Sequence, residues 1–144
     1  MRLVIAEKPS VAQSIAVVLN AKKRHDGYLE GGGYLVSWCF GHLAELADAA
    51  AYNADYAKWT MKDLPIVPTS YRFTIHEDKR KQFDILRGLL RREDVSEVVN
   101  ACDAGREGEL IFRTVYCLRD VPSLFCGCGS HPWKMLQSTP VSNR

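Results

Sequence analysis

Asn100-Ala-Cys-Asp-Ala-Gly-Arg-Glu-Gly-Glu-Leu110 sets acids, a base and two glycines between an apolar run and a helical pattern. Before it, residues Val95 to Cys102 include Val95, Val98, Val99, Ala101 and Cys102, a run rich in β-branched residues that suits a buried parallel strand. After it, Glu109 to Leu118 places Leu110, Ile111, Val115 and Leu118 on one helical stripe. Asp103 is therefore expected at the carboxyl end of a strand and Glu107 near the first turn of the next helix. Strand-to-helix junctions are where α/β proteins place their ligands, and acids there can hold a metal ion.

A second unit of the same kind opens the chain. Arg2 to Ala6 reads as a buried strand ending at Glu7, and Pro9 stands at the favoured first position of a helix. Val11, Ile15, Val18 and Leu19 fall at helical spacing as far as Asn20, followed by Lys22-Lys-Arg24 as an exposed basic connection. Tyr28 to Trp38 reads as a hairpin around Gly31-Gly-Gly33. Residues 48 to 70 show no period and form a long excursion of the kind that often carries function. Tyr71 to Ile75 alternates as a short strand, and Lys79 to Arg92 gives a helix with Phe83, Leu86, Leu89 and Leu90 on its apolar face. These elements predict an α/β domain over residues 1–119, with a mainly parallel central sheet flanked by helices. Residues 120–144 carry three prolines, two glycines, four serines and two cysteines without an apolar period, and read as an irregular tail.

The 144 residues suit one domain, with 47% hydrophobic and 25% charged residues, ordinary values for a soluble protein. A net charge of +2 does not announce nucleic acid globally. No run approaches the ~20 apolar residues of a membrane span, so no membrane partner is expected. The start Met1-Arg-Leu-Val-Ile-Ala is too short for a signal peptide. Five cysteines, an odd number without framework spacing, argue for reduced thiols and a cytoplasmic location.

If the two strands ending at Glu7 and Asp103 are parallel neighbours, their carboxyl ends open into one crevice and gather Glu7, Asp103 and Glu107. Close carboxylates repel one another, and a hard cation such as magnesium relieves that cost while leaving positions for phosphate oxygens and water. A plainer role is also open to Glu7 and Glu107, as solvated acids favoured by helix dipoles. Lys8 and Arg106 shift the balance, because each stands beside an acid and can hold a phosphate next to the metal.

Glu7-Lys8-Pro9-Ser10, together with Asp103-Ala-Gly-Arg-Glu-Gly-Glu109, resembles the Toprim domain, a Rossmann-like fold, of type IA DNA topoisomerases, nearest to the bacterial topoisomerase III branch. The likeness covers roughly residues 1 to 116 and includes Trp38-Cys-Phe-Gly-His-Leu43 and Trp59 with Asp63-Leu-Pro-Ile-Val-Pro68. It implies an isomerase that cuts and rejoins one DNA strand without ATP, with magnesium as cofactor, single-stranded DNA as partner and no nucleotide cofactor. It implies that Glu7 is the general acid/base, that Lys8 contacts the scissile phosphate, and that Trp59 contacts DNA, a role base stacking explains. Metal ligands are implied at Asp103 and two residues later, where this chain has Gly105. Metal binding would then lean on Glu7, Asp103 and Glu107. Some topoisomerase III-like members share the Asp-Ala-Gly form, so the change need not abolish function. His42, following Gly41 at a strand exit, is a candidate DNA contact or a hydrogen-bonded structural histidine.

Type IA enzymes cut with a tyrosine that becomes joined to the 5′ phosphate, in a domain beyond the reach of this likeness. Tyr28, Tyr34, Tyr52, Tyr56, Tyr71 and Tyr116 lie in no context resembling that nucleophile and read as packing or surface residues. The chain is thus expected to be a fragment that lacks the gate domains and is inactive alone. The alternatives are a stand-alone Toprim nuclease or primase-like enzyme, or a non-catalytic DNA-binding remnant. Cys117, Cys126, Cys128 and His131 fit no common zinc module. Gly31-Gly-Gly33 is not followed by Gly-Lys-Ser/Thr, and neither acidic junction carries Gly-x-Gly-x-x-Gly, which disfavours mononucleotide and dinucleotide sites.

Overall fold

The computed structural model describes residues 1–119. The chain runs β1 (Arg2–Ala6), α1 (Pro9–Val18), β2 (Lys23–His25), β3 (Tyr28–Gly31), β4 (Tyr34–Trp38), β5 (Ala44–Leu46), β6 (Phe73–Ile75), α2 (Arg80–Leu90), β7 (Glu97–Ala101) and α3 (Arg106–Leu118). Five strands form a mixed sheet in the order β2-β3-β4-β1-β7, and β5 and β6 form a separate antiparallel pair. The parallel part carries the candidate site: β1 lies between β4 and β7 and is parallel to both, with Ala6 in register with Trp38 and with Ala101. The hairpin β3–β4 and its neighbour β2 extend the sheet antiparallel on one side. The tail, with Cys126, Cys128 and His131, lies outside the described residues.

A strand buried on both faces has no polar side to alternate, and β1 has none after Arg2. Its residues split between two cores. Leu3 and Ile5 join Leu35, Phe83, Leu86, Ile111 and Val115 beneath α2 and α3, while Val4 and Ala6 join Val36, Ala12 and Ala16 beneath α1. The result is a helix–sheet–helix sandwich, the α/β arrangement expected from the alternation of strand and helix patterns. Among the described residues no helix is long and apolar enough to cross a membrane.

Some elements differ locally from their sequence reading. In α1 the inward stripe is Ala12 and Ala16, with Val11, Ile15 and Leu19 at its margins, whereas Val18 is 83% exposed. Small residues win because α1 packs close against the sheet. Lys22-Lys-Arg24 is not a free connection, since Lys23 to His25 pairs with β3 as an edge strand. In α3 the buried face is Gly108, Ile111, Thr114, Val115 and Leu118, and Leu110 turns outward at 55% exposure. At 3.6 residues per turn the buried residues span an arc of about 120° of the helix, and Leu110 falls just outside it.

Candidate nucleic-acid and metal site

Three neighbouring strands end at one edge of the sheet and deliver the site. Because Ala6 and Ala101 are in register, Glu7 leaves β1 beside the point where Cys102 and Asp103 leave β7. On the other flank, β4 continues past Trp38 with the Cys39 amide donating to the Ala6 carbonyl at 2.8 Å and the Gly41 amide to the Glu7 carbonyl at 3.4 Å. Gly41 takes a left-handed φ of +67°, which suits glycine, and turns the chain so that His42 follows at the same edge. Register thus brings together residues far apart in sequence.

Lys8 caps α1 from an extended conformation, and its ammonium stands between two carboxylates, 3.4 Å from Glu7 Oε1 and 3.8 Å from Asp103 Oδ2. Glu7 is almost enclosed at 9% exposure, while the Lys8 and Asp103 side chains are open to solvent. The exposed Lys8–Asp103 pair contributes only about 0–1 kcal/mol, so Asp103 holds Lys8 loosely. Glu107 does not join the pair. Its Oε1 lies 3.8 Å from Nε2 of His42, and among the described residues no three His, Cys, Asp or Glu side chains gather closely enough to enclose a metal ion.

The supporting contacts come from residues the sequence reading had not assigned to the site. Asn100 Oδ1 accepts from the Cys102 amide at 3.0 Å, and Asn100 Nδ2 donates to Glu109 Oε2 at 2.9 Å. Glu109 in turn pairs with Arg113 one helical turn on. Gly108 lies against the Asp103 backbone, so close that a Cβ there would meet the Asp103 carbonyl oxygen at 2.2 Å. Lys79 donates from Nζ to the His42 carbonyl at 2.9 Å, and the His76 amide donates to the Leu43 carbonyl at 3.0 Å. The legible signals were a polar residue closing an apolar strand and a glycine inside a helical turn. Lys79 gave no signal, since its partner is a backbone carbonyl far away in sequence.

Arg106 is the first residue of α3 and exposed, with no hydrogen bond or ion pair to another described residue. Trp59 lies on the excursion, 55% exposed, and no hydrogen bond or ion pair among the described residues links it to the acidic edge. Three basic residues on and after α2 are engaged in ion pairs, Arg80 with Glu77, Lys81 with Asp26 and Arg92 with Asp94. Four of the tyrosines have evident structural contacts. Tyr28 stacks on His25, Tyr34 accepts from Arg2, Tyr52 accepts from the Arg72 amide, and Tyr116 stacks on Phe112. Burial pushes the Cys39 thiol up to about 12, helped by the Cys102 and Glu7 charges, and pushes Cys102 up to about 11, helped by Glu7 and Asp103. Both stay protonated at neutral pH and are poor nucleophiles.

The donor set suits a hard cation. Two carboxylates already converge on one positive group, and magnesium commonly uses one or two protein carboxylates with substrate phosphates and water completing its shell. Comparison with known proteins agrees with the geometry. The model of the Toprim domain family matches residues 2–125. The chain is similar to DNA topoisomerase 3 of Bacillus thuringiensis (strain Al Hakam), 49% identical over 113 residues, 78% of this chain and 16% of that protein. DNA topoisomerase 3 of Bacillus licheniformis (strain ATCC 14580) and of Bacillus subtilis (strain 168) are 45% and 44% identical over the same number of residues and with the same coverage. The chain therefore spans 16% of the length of these curated relatives.

Proposed function

This chain belongs to the Toprim domain family, and from that premise we propose that it is the metal- and phosphate-binding part of a type IA DNA topoisomerase, an enzyme that cuts and rejoins one DNA strand without ATP. The observation that carries this reading is the Lys8 ammonium set between Glu7 and Asp103 at the carboxyl ends of two parallel neighbouring strands. That arrangement offers a phosphodiester one cation for its phosphate and one nearly enclosed carboxyl group for proton transfer.

In this reading Lys8 and Arg106 bind the scissile phosphate, and Lys8 fixes its position relative to Glu7. Glu7 gives a proton to the deoxyribose oxygen as its bond to phosphorus breaks, while the attacking tyrosine releases its phenolic proton to solvent, and both transfers reverse on rejoining. The new bond to phosphorus comes from a tyrosine that this chain does not supply, its own six lying outside any nucleophile context. Glu7, Asp103 and Glu107 would hold magnesium, which when bound neutralises phosphate charge and orients the strand. Trp59 stacks on a base of single-stranded DNA, and His42 touches the same strand. We place the enzyme in the cytoplasm, with the gate domains as the missing partner.

The test uses the 144-residue chain, a labelled single-stranded oligonucleotide and magnesium. Fluorescence anisotropy should show weak binding that falls with salt and weakens in Lys8→Ala. Denaturing gels should show no strand cleavage and no covalent adduct. Robust cleavage by this chain would overturn the reading, and metal-dependent hydrolysis without an adduct would indicate a Toprim nuclease instead.

A further inference from the structure

Lys8 does two things that cannot both be done in one place. It neutralises Glu7 and Asp103 at 3.4 and 3.8 Å, and on the reading above it must also neutralise a DNA phosphate. A divalent cation bound by the same two carboxylates would meet the ammonium as a like charge a few ångströms away. The Lys8 side chain is long, half-exposed and held by ion pairs alone, so it is free to swing out of the crevice. Lys22 offers a natural comparison, since it carries the same charge on an exposed connection before β2, away from the carboxyl ends of β1 and β7.

We propose that Lys8 is the resident counter-ion of this site: it holds Glu7 and Asp103 in place until a divalent cation enters, and is then transferred to the DNA phosphate. This rests on the functional reading above and adds a coupling to it. DNA draws Lys8 away from the carboxylates and so strengthens metal binding, and the metal displaces Lys8 and so strengthens DNA binding. Linkage requires the two factors to be equal. The carboxylate pair would therefore be neutralised with or without metal, which explains how two acids are kept together on an apolar strand end.

The experiment measures binding of manganese, by electron paramagnetic resonance of the free ion, to the full chain at fixed ionic strength, with and without a single-stranded oligonucleotide. The oligonucleotide should tighten manganese binding to the unaltered chain by roughly fivefold or more. Without DNA, Lys8→Gln should bind manganese more tightly than the unaltered chain, by a similar factor, and DNA should then add little. Lys8→Arg should behave like the unaltered chain, and Lys22→Gln, a matched loss of charge away from the site, should leave manganese affinity nearly unchanged. Equal affinity in Lys8→Gln and the unaltered chain, or equal gains in Lys8→Gln and Lys22→Gln, overturns the counter-ion proposal while leaving the metal site standing. Absence of manganese binding to the unaltered chain and every Lys8 variant, or binding that Glu7→Gln and Asp103→Asn leave unchanged, overturns the functional reading and this proposal with it.

Discussion

Gly108 and Asp103 are in backbone contact: a Cβ at residue 108 would stand 2.2 Å from the Asp103 carbonyl oxygen and 3.0 Å from its carbonyl carbon and amide nitrogen. The first turn of α3 therefore closes onto the loop that carries the acid, and only a residue without a side chain permits it. Gly108→Ala must push the loop or the helix away, and overpacking against backbone costs roughly 1–3 kcal/mol. Gly105→Ala is the matched control, because its φ of 178° is extended and nothing lies within 4 Å of its Cβ. Urea denaturation should show a clear loss for the first and a change below about 0.5 kcal/mol for the second. Equal effects would mean that the contact does not set the loop.

Asn100 ties the end of β7 to α3 through one bond to the Cys102 amide and one to Glu109. Each such bond contributes about 0.5–1.5 kcal/mol net, and both are lost in Asn100→Ala. Asn100→Asp keeps the acceptor but sets a carboxylate against Glu109. We expect Asn100→Asp to be the less stable of the two at pH 7 and to recover relative to alanine at acidic pH. Thermal melts at two pH values check the order, and the reverse order at neutral pH would show that Glu109 is not the partner that counts.

These two contacts mark where sequence reading stops. The parallel strands ending in Glu7 and Asp103 were legible because a strand buried on both faces reads as a continuous apolar run, as in Leu3-Val4-Ile5-Ala6. The meeting of Glu7 and Asp103 follows from register, while Glu107 does not join them. Leu110 was misassigned because periodicity cannot choose between adjacent apolar residues, and Lys23 to His25 because an edge strand needs no apolar side chains. The pairing of Glu107 with His42, and of Lys79 with the His42 carbonyl, depends on loops whose paths no local pattern encodes.

Lys79 tests that last class of contact. Its ammonium holds the carbonyl of His42 in place on the turn that follows Gly41. Lys79→Met keeps the apolar stem and removes the donor, at a cost of about 1 kcal/mol. The effect should be local, with faster amide hydrogen exchange between Gly41 and Ala44 and unchanged protection in β1. Unaltered exchange in that segment would show that the β5–β6 pairing holds the turn without Lys79.

The buried Cys39 thiol gives a pH signature. Cys39 is raised by burial from 9.0 to about 12, so between those values the folded chain keeps a proton that the unfolded chain has released. Fewer protons bound in the unfolded state means that stability falls as pH rises, with the contribution fully present below pH 9.0. Lysines and tyrosines titrate in the same range, so the informative quantity is the difference in unfolding free energy between the unaltered chain and Cys39→Ala. That difference should shrink steadily above pH 9.0. A constant difference up to pH 11 would show that the thiol titrates normally.

Gly105 leaves the acidic edge one carboxylate short of the pattern its family resemblance implies, and the structure shows that nothing steric enforces the gap. The extended φ suits any residue, and the position of its Cβ is open. Gly105→Asp should therefore fold, but with a new charge near Asp103 it should be less stable without metal, because close carboxylates repel. Magnesium should reverse the order. Each tenfold gain in affinity adds about 1.4 kcal/mol of stabilisation once the ion is well above its dissociation constant. For a domain of this size that corresponds to a further rise in melting temperature of roughly 4–6 °C. The measurement is a magnesium titration followed by thermal melts of both chains at constant ionic strength. The same magnesium-induced shift in both would mean that residue 105 does not face the cation.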